Sequence, residues 1–309
     1  MRVLVTGAAG FIGFRIAREA VREGHEVIAI DNLERGDPRK AELLSDIGCK
    51  FLRLDVRDLE RIAASVGNVD AVIHCAALVS VEESFRRPLV YESVNVGGTV
   101  ATLELAVRVG ARKYIYLSSA AVYGDPVYLP IDESHPTRPK SPYGASKLAG
   151  EFFVTAYAKS YGVRTAILRL FNVYGPGQNP EYAGVITRFI EKVKMGRPPV
   201  IFGDGEQIRD FVHVADVAKA VLLSLEVNAH ENPLVVNIAS GRPVSILTLA
   251  NLIVSLAGLK LKPQHAPPRP GDIRHSYADI ERAQEVLGWT PTIGLEEGLR
   301  ELLDLASHQ

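Results

Sequence analysis

The sequence predicts an α/β fold in which a doubly wound parallel sheet is joined to a smaller C-terminal α/β lobe. Three observations predict it. Short apolar runs alternate with longer helical patterns, the first run leads directly into a glycine-rich loop, and the alternation loosens after about residue 172. Strands that alternate with helices form βαβ units, whose parallel sheet is covered by helices on both faces.

The individual elements follow from runs of β-branched and aliphatic residues and from the helical periods between them. Strands of the sheet are expected at 2–6, 26–30, 49–54, 71–74, 113–118, 164–170 and 234–238, and outer strands at 199–202 and 209–212. Helices are expected at 11–22 and near 184–195, 214–225, 246–257, 280–287 and 295–305. This order predicts a Rossmann-type domain from 1–172 with 208–242, and a second lobe from 173–207 with 243–309.

Composition excludes several classes of partner. The 309 residues carry 35 Lys and Arg against 36 Asp and Glu, so no basic field attracts nucleic acid or an anionic membrane. The two cysteines, Cys49 and Cys75, are too few for a disulfide framework and form no metal-binding pair. The chain shows no signal-peptide pattern and no apolar run near the ~20 residues of a membrane helix. We therefore expect a cytoplasmic protein without a metal.

A tyrosine and a lysine stand four positions apart, at Tyr143 and Lys147. On a helix these side chains lie one above the other on the same face. An ammonium group that close to a phenol favours the phenolate and lowers the phenol pKa from about 10. The pair is therefore interpreted as a general base for an alcohol near neutral pH. A surface tyrosine and a solvated lysine at chance spacing are the alternative.

A glycine loop between the first strand and the first helix predicts the cofactor. Gly7, Gly10 and Gly13 allow a tight turn and the close approach of a pyrophosphate to the helix N-terminus, whose amides attract anions. Asp31 ends the next strand, where a carboxylate can accept hydrogen bonds from both ribose hydroxyls and repels a 2′-phosphate. The combination predicts NAD, with a smaller NADP alternative because Arg35 lies nearby. A polar turn cap is the alternative for Asp31.

The ends of the third and fourth strands carry further candidates. Asp55 and Val56 close the third strand, where the carboxylate either bonds the adenine amino group or simply leaves the sheet. Small side chains follow the fourth strand at Cys75, Ala76 and Ala77, where either a dinucleotide or tightly packed backbone can lie. Both positions are at the sheet edge that binds ligands in open α/β folds.

Ser118 and Ser119 end the fifth strand, at the same edge of the sheet. A hydroxyl there can bond a substrate alcohol and pass a proton towards Tyr143, although serines are also common turn residues. The serines therefore extend the predicted base into a candidate catalytic group.

Three later segments, at 170–176, 203–213 and 269–272, read Leu-Phe-Asn-Val-Tyr-Gly-Pro, Gly-Asp-Gly-Glu-Gln-Ile-Arg-Asp-Phe-Val-His and Arg-Pro-Gly-Asp. Together with the glycine loop, Asp31, the Ser119-x-x-x-Tyr123 pattern and the Tyr143-x-x-x-Lys147 pair, they resemble the extended short-chain dehydrogenase/reductase family. The similarity covers nearly the whole chain and is closest to the NAD-dependent epimerase/dehydratase members of the UDP-glucose (UDP-galactose) 4-epimerase branch.

The resemblance implies roles for the matching residues. It makes Ser119, Tyr143 and Lys147 the catalytic set, with Lys147 also bonding the nicotinamide ribose. It adds to the NAD site Phe11, Ile12, Asn32, Asp55, Val56, Asn95 and Phe171. It implies a sugar-nucleotide site in the second lobe, in which Asn172, Arg209 and Arg269 hold the pyrophosphate, Val200, Phe202 and Phe211 wall the uracil, and Asp272 accepts from the ribose. Surface chemistry or packing is the alternative for each residue after 172.

Departures from the family patterns narrow the expected activity. Ala121, with Ala120 beside it, stands where dehydratases and decarboxylases carry an acid, so elimination of water lacks its proton donor. Val185 and Ile186 replace an Asn-Leu pair common near the uridine diphosphate, as in uronate-handling branches. Ser276 is small enough to admit an N-acetyl group at the 2-position of the sugar.

The sequence thus predicts an isomerase that uses tightly bound NAD to epimerise position 4 of a UDP-hexose. A UDP-glucuronate or galacturonate 4-epimerase, a reductase that consumes NAD(P)H, and a non-enzymatic NAD-binding scaffold remain as alternatives. The resemblance also implies a homodimer through the helices of residues 88–110 and 142–161.

Overall fold

The computed structural model describes residues 1–179, 184–227, 229–268 and 273–307, with side chains as far as residue 305. Its strands are β1 (Arg2–Thr6), β2 (Glu26–Asp31), β3 (Lys50–Arg53), β4 (Ala71–His74), β5 (Lys113–Ser119), β6 (Arg164–Leu170), β7 (Asn172–Tyr174), β8 (Val200–Phe202), β9 (Ile208–Arg209), β10 (Phe211–His213), β11 (Leu234–Ile238), β12 (Val244–Ser245), β13 (Gln264–Ala266) and β14 (His275–Ser276).

The helices are α1 (Phe11–Arg22), α2 (Pro38–Asp46), α3 (Leu59–Val66), α4 (Val81–Arg86), α5 (Pro88–Tyr91), α6 (Gly98–Arg108), α7 (Pro142–Tyr161), α8 (Val185–Lys194), α9 (Val214–Glu226), α10 (Ile246–Leu256), α11 (Glu281–Leu287) and α12 (Leu295–Ser307). A π-helical segment, Glu92–Gly97, joins α5 to α6, and a 3₁₀ turn, Ala120–Val122, follows β5. In the described part of the chain, no helix is long and apolar enough to cross a membrane.

Seven strands form one parallel sheet in the order β11-β6-β5-β4-β1-β2-β3. Two apolar cores cover its two faces, one including α1 and α9 and the other including α3 and α6. The strand order reverses between β1 and β4, and ligands of such sheets bind at the carboxyl ends beside that point. The predicted Rossmann-type α/β fold is confirmed.

A third apolar core lies beyond the sheet and joins α8, α10 and α12 around Ile201 and Phe211. However, Ala283, Leu287 and Trp289, which fall in the predicted second lobe, pack into a core of the main sheet. The proposed division at residues 172, 208 and 243 remains a prediction.

The expected single strand over 209–212 is wrong. The segment forms two short strands in two different sheets, with β9 paired to β12 and β14 and β10 paired to β7. Asp210 between them is fully buried, and its carboxylate accepts hydrogen bonds from the backbone of Ser240 and Gly241. The acid therefore holds the junction of the two sheets at the point where a continuous strand was expected.

Candidate active site

A cavity of about 340 Å³ opens at the carboxyl ends of β1, β2, β4 and β5, within the size range of small-molecule sites. It is lined by nearly all of the residues predicted to bind the cofactor: Gly7, Gly10, Phe11, Ile12, Gly13, Asp31, Asn32, Asp55, Val56, Cys75, Ala76, Ala77, Ser118, Tyr143, Lys147 and Phe171. Ser119 lies on the same wall. Residues from many separate segments thus meet at the edge that the strand order selects.

The glycine loop has the shape that a dinucleotide requires. A Cβ on Gly13 would stand 2.2 Å from the Gly7 carbonyl oxygen, and one on Gly7 would stand 2.8 Å from the Ala76 Cα. Gly7 also has a φ of +64°, which other residues rarely adopt. Gly10 is the N-cap of α1 and has no side chain to cap the first amides of the helix. These open amides and the absent side chains leave room and donors for a pyrophosphate.

Asp31 is held rigidly beside this loop. Its carboxylate accepts from the backbone N–H of Ala9 at 3.0 Å and of Leu33 at 2.8 Å. Burial raises the pKa of Asp31, and those two hydrogen bonds oppose the rise. A fixed acceptor at the end of β2 suits ribose hydroxyls and disfavours a 2′-phosphate. The residues present therefore fit NAD.

The Asp55 carboxylate is held in place by neighbouring side chains. Its two oxygens accept from the Arg57 guanidinium at 2.8 Å each and from the Asn32 amide at 2.9 Å. These hydrogen bonds, chiefly those from Arg57, hold the pKa of Asp55 well below its usual range. Arg57 also donates to the Ser93 hydroxyl, which ties this end of the cavity to the π-helical segment.

Two polar contacts join separate segments beside the cofactor cavity. Arg35, which follows β2 and lines the cavity, pairs with Glu83 on α4 at 2.7 Å. Because β1 lies between β2 and β4 in the sheet, this pair joins segments that follow the strands on either side of β1. Lys40 on α2 donates to the carbonyl of Gly177 at 2.6 Å, next to Gln178, which lines the cavity.

The start of α7 places the predicted base. The Ser141 hydroxyl caps the helix by accepting from the Gly144 N–H, and Pro142 occupies the first turn. Tyr143 and Lys147 therefore project from the first turns of the helix towards the end of β5, where Ser119 lies. Gly144 permits this approach, since a Cβ there would stand 2.6 Å from the Ala121 carbonyl oxygen.

The electrostatics of the pair differ from the sequence-based expectation. Burial raises the pKa of Tyr143, and a hydrogen bond with Ser119 opposes the rise. Burial also lowers the pKa of Lys147 to about 8. The ammonium nitrogen lies 4.3 Å from the centre of the Tyr116 ring. The expected lowering of the phenol pKa by Lys147 is thus wrong for the protein alone, because desolvation dominates.

Asn95 lies behind the cavity wall, not on it. It is buried, and its amide exchanges hydrogen bonds with the backbone of Leu78 and donates to the Ser146 hydroxyl at 2.9 Å. Ser146 in turn donates to the Tyr143 carbonyl. Asn95 therefore joins the cavity wall to the helix that carries the base.

The predicted sugar-nucleotide residues are spread over several elements. Asn172 on β7 donates to the Asp210 carbonyl, Arg209 on β9 donates to the Ile208 carbonyl, and Ser276 on β14 is the register partner of Arg209. Val185 and Ile186 begin α8, while Val200 is the first and Phe202 the last residue of β8. Ile186 and Phe211 are buried in the core of this region. Arg269 and Asp272 lie outside the described residues.

Sequence reasoning missed several residues around the site. Leu78, Gln178 and Asn179 also line the cavity. Glu151 and Arg169 form a buried ion pair directly behind the serines of β5. The helical spacing could have revealed Glu151, which repeats the four-residue step from Tyr143 to Lys147. Among the described residues, no cluster of His, Cys, Asp and Glu could hold a metal.

Known proteins of similar sequence share nearly the full length of the chain. A putative UDP-glucose 4-epimerase of Methanocaldococcus jannaschii is 40% identical, covering 98% of this chain and 97% of the relative. A UDP-glucose 4-epimerase of Mycolicibacterium smegmatis is 37% identical, covering 98% of each. A UDP-glucuronate 4-epimerase of Thermodesulfobacterium geofontis is 33% identical, covering 97% and 94%.

Solved structures agree with this fold over the whole chain. The UDP-glucose 4-epimerase of Thermotoga maritima with UDP-glucose superposes with a TM-score of 0.94 at 36% identity, covering 100% of this chain and 99% of that one. A UDP-N-acetylglucosamine 4-epimerase of Methanobrevibacter ruminantium, solved with UDP-N-acetylmuramic acid, gives 0.92 at 36%, with the same coverage. The Thermus thermophilus UDP-glucose 4-epimerase complex with NAD gives 0.89 at 36%, covering 98% of each.

The sequence model of the NAD-dependent epimerase/dehydratase family matches residues 3–239. That segment contains the glycine loop, the end of β5 and the Tyr143–Lys147 pair. The chain therefore belongs to the NAD-dependent epimerase/dehydratase family, whose members are enzymes.

Proposed function

We propose that the protein catalyses the 4-epimerisation of a UDP-hexose, interconverting UDP-glucose and UDP-galactose with NAD. One observation carries the proposal. Ser119, Tyr143 and Lys147 share the wall of the cavity that the glycine loop and Asp31 shape for NAD. A proton acceptor beside a nicotinamide cofactor is what reversible oxidation of an alcohol requires.

Residues of the cavity wall are assigned to the three parts of the cofactor. The glycine loop and the amides at the start of α1 hold the pyrophosphate. Asp31 binds the adenosine ribose, and Asp55 binds the adenine. When bound, NAD supplies a reversible acceptor for the hydrogen on the sugar C4 carbon. Asn95 acts on this site indirectly, by fixing Leu78 on the cavity wall.

The catalytic side chains manage the proton on the sugar 4-hydroxyl. Tyr143 accepts that proton, and Ser119, which hydrogen-bonds Tyr143, orients the hydroxyl. Lys147 bonds the nicotinamide ribose, and burial lowers its pKa to about 8. The hydrogen bond with Ser119 opposes the rise that burial gives the Tyr143 pKa, so this contact favours the phenolate. The chain supplies no acid at Ala120 or Ala121, so the oxidised sugar is not dehydrated.

Epimerisation also requires that the oxidised sugar rotate in the pocket, so that its opposite face meets the cofactor, while its nucleotide stays bound. We assign that anchor to Asn172 and Arg209, together with Arg269 and Asp272. Arginine suits this task because its planar donors match phosphate oxygens. The side chains of Ile186 and Phe211 are packed in the core, so their part in binding is assigned to the backbone and to the shape of the pocket.

Other UDP-sugars form the second candidate function. Ser276 is a small residue beside Arg209 and leaves space for an N-acetyl group. Val185 and Ile186 resemble the residues of uronate-handling branches and therefore favour a UDP-uronate as substrate. The relative from Thermodesulfobacterium geofontis is a UDP-glucuronate 4-epimerase. These sugars need the same catalytic residues and differ only in the pocket around the hexose.

We also propose a homodimer through the helices of residues 88–110 and 142–161. Leu89 and Phe152 on these helices are 79% and 66% exposed, and Tyr161 is 56% exposed. Large apolar side chains exposed on paired helices are typical of an interface with a second copy. Light scattering after size exclusion should give twice the chain mass of 33.6 kDa.

The deciding experiment incubates the protein with catalytic NAD and, separately, with UDP-galactose, UDP-N-acetylgalactosamine and UDP-glucuronate. Proton NMR of each product then reports the configuration at carbon 4. Conversion of UDP-galactose to UDP-glucose fastest of the three supports the proposal. A preference for either other sugar selects the second candidate. With stoichiometric NAD, net reduction of NAD to NADH with no epimer formed would identify a reductase that runs in reverse on these alcohols.

A further inference from the structure

A buried ion pair lies directly behind the catalytic strand. Arg169 on β6 donates from Nη2 to Glu151 Oε2 at 2.7 Å and from Nε to Oε1 at 3.0 Å. The side chains of the pair are only 8% and 6% exposed. The Ser118 hydroxyl also donates to Glu151 Oε1, at 2.5 Å. One carboxylate on α7 is therefore bonded to both neighbouring strands.

The pair is connected to the catalytic residues through short, rigid links. Glu151 follows Lys147 by one helical step and Tyr143 by two, so all three lie along the same side of α7. Ser118 immediately precedes Ser119 and is the register partner of Arg169. The Glu151 bonds therefore set where α7 sits along β5, and with it the separation of Tyr143 from Ser119.

Arg169 is itself fixed from its other side. Its Nη1 donates to the Tyr123 hydroxyl at 3.0 Å and to the Glu133 carbonyl at 3.2 Å. Tyr123 in turn donates to the Asn237 amide oxygen at 2.6 Å, and its ring lies 4.9 Å from the guanidinium. The network thus runs from β11 through β6 to α7 with each charged group partnered.

Stability alone does not account for such a pair. Desolvation of two buried charges offsets much of their attraction, and well-packed apolar residues of similar volume are often as stable. Two parallel hydrogen bonds between Arg169 and Glu151 instead specify one position of α7 relative to β6, whereas apolar contacts would tolerate several. Both members of the pair are tied to Ser118, the residue next to Ser119. The position of α7 along β5 at this point matters for proton transfer between Ser119 and Tyr143.

We propose that Glu151 and Arg169 are positioning residues, which hold Tyr143 and Lys147 in register with Ser119. The proposal rests on the function proposed above. It predicts that loosening the two hydrogen bonds between them lowers the turnover number while leaving substrate and cofactor binding in place, because neither side chain lines the cavity.

The informative variant is Arg169→Lys, which keeps the charge but loses the two-pronged donor. We expect its kcat to fall at least tenfold, with KM for the UDP-sugar within twofold and NAD content unchanged. A kcat within twofold of the parent protein would overturn the proposal. If this variant does not fold, the apolar pair Glu151→Met with Arg169→Met takes its place under the same criteria.

Asp216→Asn serves as the matched control. Asp216 is equally buried and holds Thr292 and Ile293 by hydrogen bonds, far along the chain from the catalytic strand. The control should lower the melting temperature and leave kcat unchanged. If kcat falls equally in the control and in Arg169→Lys, the ion pair is merely structural and the proposal fails.

Amide hydrogen exchange separates this proposal from the proposed function. Arg169→Lys should speed exchange in residues 142–151 more than Asp216→Asn does. A parent protein that epimerises no UDP-sugar would refute the function, yet faster exchange in that segment would still show the positioning. Unchanged exchange there would refute the positioning even in an active enzyme.

Discussion

The two halves of the candidate site are built in different ways. On the cofactor side, adjacent strands present short local patterns, and Gly7–Gly13, Asp31 and Asp55 meet at one edge because parallel strands end together. On the side proposed to bind the nucleotide, Arg209 and Ser276 come from two-residue strands of a small sheet. In a regular sheet, short local patterns are thus sufficient to bring a site together, whereas short paired strands depend on packing against residues distant in the chain.

The largest effect is expected from Tyr143→Phe, which removes the proposed proton acceptor. The turnover number should fall about 10³-fold, the range of general acid–base catalysis, with NAD still bound. Tyr157→Phe, which alters an exposed phenol farther along the same helix, is the control and should leave activity intact. Activity near the parent value in Tyr143→Phe would remove the catalytic assignment.

Gly13→Ala tests the cofactor side through its backbone. The new Cβ would meet the Gly7 carbonyl oxygen, so the loop must shift and NAD affinity should fall roughly 100-fold. Gly294→Ala places a Cβ in open space and should leave NAD binding unchanged. Isothermal titration with NAD measures both. Equal affinities in the two variants would contradict the proposed cradle.

Lys147→Met tests the electrostatics at the boundary of the two halves. The folded pKa of about 8 lies below the 10.5 of a free lysine, so between these values the unfolded chain binds more protons. The free energy of unfolding should therefore rise with pH in this window, by at most about 1.4 kcal/mol per unit. Urea denaturation at pH 8 and pH 9 should show a smaller rise in the variant. Equal pH dependence would place the lysine pKa elsewhere.

Arg209→Ala tests the nucleotide side. Loss of the guanidinium proposed to bind the pyrophosphate should raise KM for the UDP-sugar about tenfold and change kcat little, because the proposed contact is made throughout the reaction. Arg274→Ala is the control, since Arg274 forms an exposed pair with Asp204 in the same region. A fall in kcat without a change in KM would assign Arg209 to the chemistry instead.

The smallest effect is expected from Glu83→Gln, which weakens the contact between Glu83 and the cavity-lining Arg35. The Arg35–Glu83 pair is partly exposed, so the rate of NAD release should rise only several-fold. Glu82→Gln on the same helix affects only an exposed pair with Arg86 and should leave release unchanged. Displacement of bound NAD by a fluorescent analogue measures both rates.

Sequence reasoning predicted the main sheet and its cofactor edge well. Every predicted strand of that sheet is present, because buried parallel strands read as continuous apolar runs bounded by turn residues. It failed at 209–212, where buried Asp210 divides a β-like segment between two sheets. It also missed the opposing pKa shifts of Tyr143 and Lys147, which result from burial and not from spacing.

The sequence by itself determined the fold class and the residues that line the cofactor cavity, because these depend on local periodicity and glycine geometry; the predicted catalytic side chains came from fixed spacing together with the family resemblance. Only the tertiary structure decided what surrounds them. Desolvation around Lys147, the ion pair behind Ser118 and the burial of Ile186 all depend on residues distant in the chain. Burial and hydrogen bonding are properties of the packed molecule, and no local pattern encodes them.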